Sequence, residues 1–251
     1  FGQIAFAAVH NLGFIPWTDD MVEDSVVPFL PMIRKQGGIM LARGRDSATI
    51  NGDVQTTHID TDVTAADDFR KAWNGLRRLG MNNEVDINAG ILAADFFTLM
   101  QKLGKWARNP AQLVMFLNVI EWLKLAADPD LKSVDKIGID RATLRNGVID
   151  RVAGIDVVVT EEIRRDLAVD GEFDGVTTNN TIEILCNREA FWHATKGETK
   201  VEEVRVPQAL ANWLQVDVRE DFKPIDIDDT VSPLIFPAGA APVAIGVNVT
   251  A

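Results

Sequence analysis

His58, Asp60 and Asp62 stand at alternate positions within and just beyond the stretch INGDVQTTHID, Ile50–Asp60. On a strand, alternate side chains share one face, so an imidazole and two carboxylates would converge. Such nitrogen and oxygen donors suit a divalent metal, and a metal-dependent hydrolase is the chemistry they would serve. The competing reading is a polar loop between two helices, where Thr, Asp and His are ordinary and little stability rests on His58. Asn51 and Gly52 already have a structural task, because both tolerate the left-handed conformation that stops a helix.

Other chemically able residues fit structural roles as well. His10 lies in an apolar run and His193 beside Phe191 and Trp192. Glu161 and Glu162 after GIDVVVT resemble a carboxylate pair at a strand end, yet Thr160 followed by two glutamates is also a normal helix start. Glu202, Glu203, Asp217, Glu220 and Asp221 fall among alternating strand residues and read as a solvated or interface face. There is no GxGxxG, P-loop, G-x-S-x-G or CxxC pattern. The expectation is a non-enzyme, with no catalytic residue, cofactor or metal assigned.

Composition agrees with a folded chain. The 251 residues are 47% hydrophobic, enough for a large core. A net charge of −12 argues against a reader of nucleic-acid sequence, which needs a basic excess to neutralise phosphates. The one cysteine, Cys186, excludes an intrachain disulfide. The apolar start FGQIAFAAVHNLGFIPW lacks a basic n-region and is interrupted by Pro16, and removal of a leader by proteolysis, or a sequence that omits one, is the expected origin of a Phe1 start. The uncharged segment Pro233–Ala251 holds prolines and glycines that disfavour a membrane helix, and suits a strand or an extended arm.

The elements expected to position these residues begin with a strand at Phe1–Ile15. An acidic cluster, Asp19, Asp20, Glu23 and Asp24, precedes a long helix from about Ser25 to Ile50. Its face is Val26, Leu30, Ile33, Gly37, Met40 and Gly44, at steps of four and three. Further helices are expected over Ala65–Leu79, with Phe69, Trp73, Leu76 and Leu79 on one stripe, and over Gly90–Trp106, with Leu92, Phe96, Leu99, Met100 and Leu103 buried. LVMFL (Leu113–Leu117), GIDVVVT (Gly154–Thr160) and TIEILC (Thr181–Cys186) read as strands. Asn118 with Glu121 starts a helix. Lys200–Val206 and Trp213–Val218 read as an antiparallel pair. Helices first and strands mostly later favour an α+β class.

In order, these pieces resemble the major capsid protein of tailed bacteriophages, whose fold is shared with encapsulins and the herpesvirus capsid floor. MVEDS before a long helix ending in INGD resembles the family's spine helix. THID and WNGLRRL resemble the loop and helix that follow it. LVMFLNVIEWLKLAAD and RVAGIDVVVTEEI resemble segments of the axial domain. TIEILCNREAFWHATKGETKVEE and LQVDVREDFKPID (Leu214–Asp226) resemble the strands that lead back out. The resemblance runs from about Asp19 to Ile235.

The resemblance implies a fold with a long spine helix, a peripheral domain, and an axial domain built on a mixed β-sheet flanked by helices. It divides the chain into a returning strand of an extended loop (1–16), the peripheral domain with spine helix and following loop-helix (17–80), the axial domain (81–205), returning peripheral strands (206–236) and a C-terminal arm (237–251). It implies a structural subunit that assembles as pentamers and hexamers into an icosahedral shell around double-stranded DNA, without sequence-specific binding. A portal, a scaffold or leader segment, a maturation protease and decoration proteins would be partners. The place would be the virion capsid, assembled in the host cytoplasm. An encapsulin-type shell is the alternative, and the hydrolase built on His58, Asp60 and Asp62 a third.

Overall fold

The structure, a computed structural model, describes residues 6–25, 29–132, 151–177, 179–209, 211–225 and 241–250. The expected strand start before Phe6, Val26 and Pro28 of the helix start, and the segment from Asp226 to Ala240 lie outside the described residues.

Strand β1 (Val9–Thr18) runs straight through Pro16. Proline lacks the amide a central strand needs, and β1 is an edge strand, where that loss is tolerated. Thr18 then caps a separate short helix, α1 (Asp19–Glu23), accepting from the Met21 amide at 3.3 Å. Asp19 and Asp20 therefore meet a helix N-terminus, but of this five-residue helix rather than of the spine, while Glu23 ends it and Asp24 is its C-cap. The spine is α2 (Phe29–Asn51). Ile33, Gly37 and Gly44 are buried along its expected face, and Ala48 a turn further on.

The spine does not end in a left-handed glycine, since Gly52 is absent from the positive-φ residues. The Gly52 amide closes on the Ala48 carbonyl at 3.0 Å. A Cβ at position 52 would stand 2.3 Å from that oxygen and 2.4 Å from the Trp73 carbonyl. Gly75 packs against the same point, its amide donating to the Gly52 carbonyl at 2.8 Å. Glycine is required here by close approach of two backbones, which excludes asparagine as firmly as valine.

That crossing also breaks the helix expected over Ala65–Leu79. In its place are a 3₁₀ turn at Phe69–Lys71, capped by Asp68, and a short helix α3 (Leu76–Gly80). Trp73, Leu76 and Leu79 are buried as the stripe required. Gly80 is the last residue of α3, not its stop.

Strand β2 (Glu84–Ala89) leads to α4 (Ala93–Leu103), which buries Phe96, Leu99 and Leu103 and ends at Gly104 with φ +52°. A 3₁₀ turn, Gly104–Ala107, replaces its expected last turn. Leu92, expected in the core, sits at the N-cap and is exposed, while Ile91 is buried instead. Then come β3 (Leu113–Leu117), α5 (Val119–Ala126), α6 (Pro129–Lys132), β4 (Arg151–Val152), β5 (Ile155–Val159) and β6 (Asn180–Asn187). Asn118 caps α5 through the Ile120 amide at 3.1 Å. Strands β7 (Phe191–Thr195), β8 (Lys200–Val206), β9 (Ala211–Pro224) and β10 (Val243–Thr250) complete the chain.

Two sheets organise these elements. In the four-stranded antiparallel sheet, the long β9 pairs with β1 on one edge and with β7 and β8 on the other. The spine covers one face, with Trp17, Ile33, Leu214 and Val216 between them. The six-stranded mixed sheet has the order β2-β10-β6-β3-β5-β4. Ile182, Ile184 and Ile245 meet α3 and the spine's end on one face, while Met115, Leu117 and Leu185 meet α4 and α5 on the other. Cover on both faces explains the unbroken apolar run of β3.

Two expected boundaries move. β7 and β8, placed in the axial segment 81–205, pair with β9 in the four-stranded sheet. β10, placed in a C-terminal arm at 237–251, is an inner strand between β2 and β6 with nearly every side chain buried. Its lack of charge reflects burial within the subunit. Among the described residues no helix is long and apolar enough to cross a membrane.

Candidate functional sites: an ion-pair hub and an apolar sheet face

The loop after the spine is tied down by charge. Asp60 is fully buried, and its carboxylate accepts from Arg77 Nη2 at 2.6 Å, Arg77 Nη1 at 3.0 Å and the Phe173 amide at 3.2 Å. Arg77, equally buried on α3, also donates to Asn51 Oδ1 at 3.1 Å and to the Gly171 carbonyl at 2.9 Å. Asn51 in turn donates to the Glu162 carbonyl at 2.7 Å. The planar fork of a guanidinium satisfies several acceptors at fixed angles, as a lysine could not.

A second ring of pairs surrounds this one. Asp62 accepts from Arg164 at 3.0 Å and Arg70 at 3.2 Å. Arg70 also holds Asp68 at 3.0 Å, and Arg164 holds Asp166 at 2.8 Å while stacking over Phe173. Burial alone would raise the pKa of Asp62 and of Asp68, but their arginine partners outweigh it and hold both below the usual carboxylate value. For Asp166 the Arg164 hydrogen bond dominates in the same direction.

The three candidate ligands are thus spent separately. His58 Nδ1 accepts from the Asp60 amide at 2.9 Å, which leaves the proton on Nε2, 3.3 Å from the Arg70 carbonyl. Burial lowers its pKa, against the pull of Asp60 and Asp53. Among the described residues no three His, Cys, Asp or Glu side chains gather as metal ligands. His58 is nevertheless not a dispensable loop residue, since it is buried and both nitrogens are engaged.

The remaining candidates resolve similarly. Glu161 and Glu162 start no helix; the Glu162 amide closes a turn on Thr160 Oγ1 at 3.2 Å. Glu220 and Asp221, expected on a solvated or interface face, are buried within the chain. Glu220 is gripped through both oxygens by Arg45 of the spine and lies 3.3 Å from His193. Asp221 accepts from the Ala7 amide at 2.7 Å. His10 pairs with Asp217 at 3.2 Å. Arg45, Arg77 and Arg164, which make these ties, carry no motif that marks them as site residues in the sequence. WNGLRRL did place an arginine inside an otherwise apolar stripe, the one signal that could have found Arg77.

Among the described residues, the face of the four-stranded sheet away from the spine leaves apolar side chains exposed. Leu12 (41% exposed), Phe14 (46%), Val204 (42%) and Trp213 (40%) lie on it, with Phe14 and Trp213 edge to face at 5.8 Å. The register puts Pro16 and Val204 on opposite sides of Trp213, so the apolar surface spans three strands.

Comparison with known proteins places this architecture. No family model matches the chain, and no curated protein matches it by sequence. By structure it is similar to the capsid of an empty GTA particle, at 13% identity and TM-score 0.61, covering 98% of this chain and 75% of that one. It is similar to a protein of Microbacterium phage Oxtober96, at 14% identity and TM-score 0.61, covering 96% and 73%. It is also similar to the SrpI encapsulin of Synechococcus elongatus, at 11% identity and TM-score 0.55, covering 97% and 74%. The fold is that of phage capsid and encapsulin shell subunits, an α+β architecture with a spine helix and a mixed sheet flanked by helices.

Proposed function

We propose that this chain is a structural major capsid protein that assembles as pentamers and hexamers into an icosahedral shell enclosing phage double-stranded DNA. The observation that carries this reading is likeness to a capsid subunit over 98% of the chain. The apolar face of Leu12, Phe14, Val204 and Trp213 supports it, since a folded monomer gains nothing from leaving such a surface in water. Repetition of modest contacts around closed rings yields a stable container. A net charge of −12 suits an interior through which DNA must slide.

In this reading the spine and the four-stranded sheet form the peripheral domain, and the six-stranded sheet with α4 and α5 the axial domain. The subunit has no catalytic role. Portal, scaffold or leader segment, maturation protease and decoration proteins are its partners, and the shell is built in the host cytoplasm. Sedimentation and negative-stain microscopy of the purified chain test the proposal. Large closed particles are expected, and a stable monomer under all ionic conditions overturns it. Likeness to an encapsulin favours a second reading, a protein-filled compartment. Nuclease-protected DNA within particles from the natural source distinguishes the first from a cargo enzyme in the second.

A further inference from the structure

Glu183 lies in the middle of β6, on the face covered by α4 and α5, and is 1% exposed. Its register partner on β10 is Gly246, where a Cβ would stand 2.5 Å from Glu183 Cγ. The glycine is the space into which this side chain folds. Among the described residues neither carboxyl oxygen has a hydrogen-bond partner, and Glu121 Oε2, also buried, has none. The charged groups acting on Glu183 are carboxylates, Asp95 from α4 and Glu121 from α5. The cation bonded there, Lys124, is held by Glu121 at 3.2 Å and by the Thr250 carbonyl at 2.6 Å. Asp128, after α5, accepts from the Ala93 amide at 2.8 Å and adds negative charge beside Asp95.

We propose that Glu183 is a proton-responsive element of this fold, neutral in the closed state and loosening the α4–α5 cover when it ionises. A buried carboxylate without donors is strongly disfavoured, and two neighbouring carboxylates disfavour it further. No three potential ligands converge among the described residues, so a proton rather than a metal ion is the occupant the geometry provides for. The carboxyl is held well above the ordinary 4.5, chiefly by burial, then by Asp95 and Glu121. Its stabilising effect is therefore complete below the ordinary glutamate value and is lost as pH rises towards the raised one.

The test is urea denaturation of the full chain across pH, comparing wild type with Glu183→Gln. One proton released on unfolding makes the folding constant of the wild type fall by up to about tenfold per pH unit above the ordinary glutamate range. Glu183→Gln is expected to remove that fall, and hydrogen exchange in α4 and α5, corrected for intrinsic rate, to stop rising with pH. Glu121→Gln provides a second arm should Glu183→Gln not fold. It removes a negative neighbour, so the fall should finish at lower pH. Parallel profiles of wild type and either variant overturn the proposal. So does stabilisation by added calcium that depends on Glu183, which would make the cluster a cation site.

Discussion

The hub around Asp60 and the cluster around Glu183 bury carboxylates equally deeply and treat them in opposite ways. Asp60 is met by the fork of Arg77, with Arg70 and Arg164 within 4.0 Å, so its charge is compensated at fixed angles. Glu183 meets no donor among the described residues, and the charges acting on it are negative. Burial makes a charge a fixed structural tie where partners are geometrically matched, and a proton-sensitive point where they are not. The two regions therefore oppose each other with pH. The hub weakens as pH falls, and the sheet interior weakens as pH rises.

Removing the central cation should have the largest effect on this comparison. Arg77→Ala removes both guanidinium hydrogen bonds from buried Asp60 and leaves Arg70 and Arg164 no nearer than 3.8 Å, and a loss of about 3–5 kcal/mol is expected in urea denaturation. Arg77→Lys should recover little of it, because an ammonium cannot span Asp60, Asn51 and Gly171 together. A loss under about 1 kcal/mol for the alanine variant would mean that Arg70 and Arg164 compensate Asp60 without the fork.

Acid titration should show a smaller, cumulative effect. Asp62, Asp68, Asp166 and Glu220 are all held below the ordinary carboxylate range; for Glu220, burial opposes the shift and Arg45 outweighs it. Their contribution is complete above that range and disappears as pH falls through the depressed values. The urea midpoint should drop below about pH 4, and less steeply in Glu220→Gln. An unchanged slope in that variant would assign the acid loss to other groups.

The smallest effect is expected at an exposed pair. Arg34 and Glu203 meet at 2.7 Å between the spine and β8, but both side chains are largely solvated. Arg34→Ala should cost no more than about 1 kcal/mol and should lose its effect in high salt. A salt-insensitive loss as large as that of Arg77→Ala would show that burial is not what separates the two kinds of pair.

The sequence by itself determined the spine helix, the apolar strands β3, β5 and β6, and the pairing of β8 with β9. In each, periodicity or an unbroken apolar run is read from a few adjacent residues, and local preference agrees with the final environment. It also located Gly52 as the end of the spine, although the cause is contact with the Trp73 backbone rather than a left-handed turn. Only the tertiary structure decided that β10 is an inner strand rather than an arm, because an uncharged segment reads alike whether its own chain or a neighbour covers it. The same holds for Asp60, Glu183 and Glu220. Whether a carboxylate meets arginine, solvent or nothing depends on residues as far as 175 positions away, as Arg45 is from Glu220. Charge in a sequence has a sign but no partner, and folding supplies the partner.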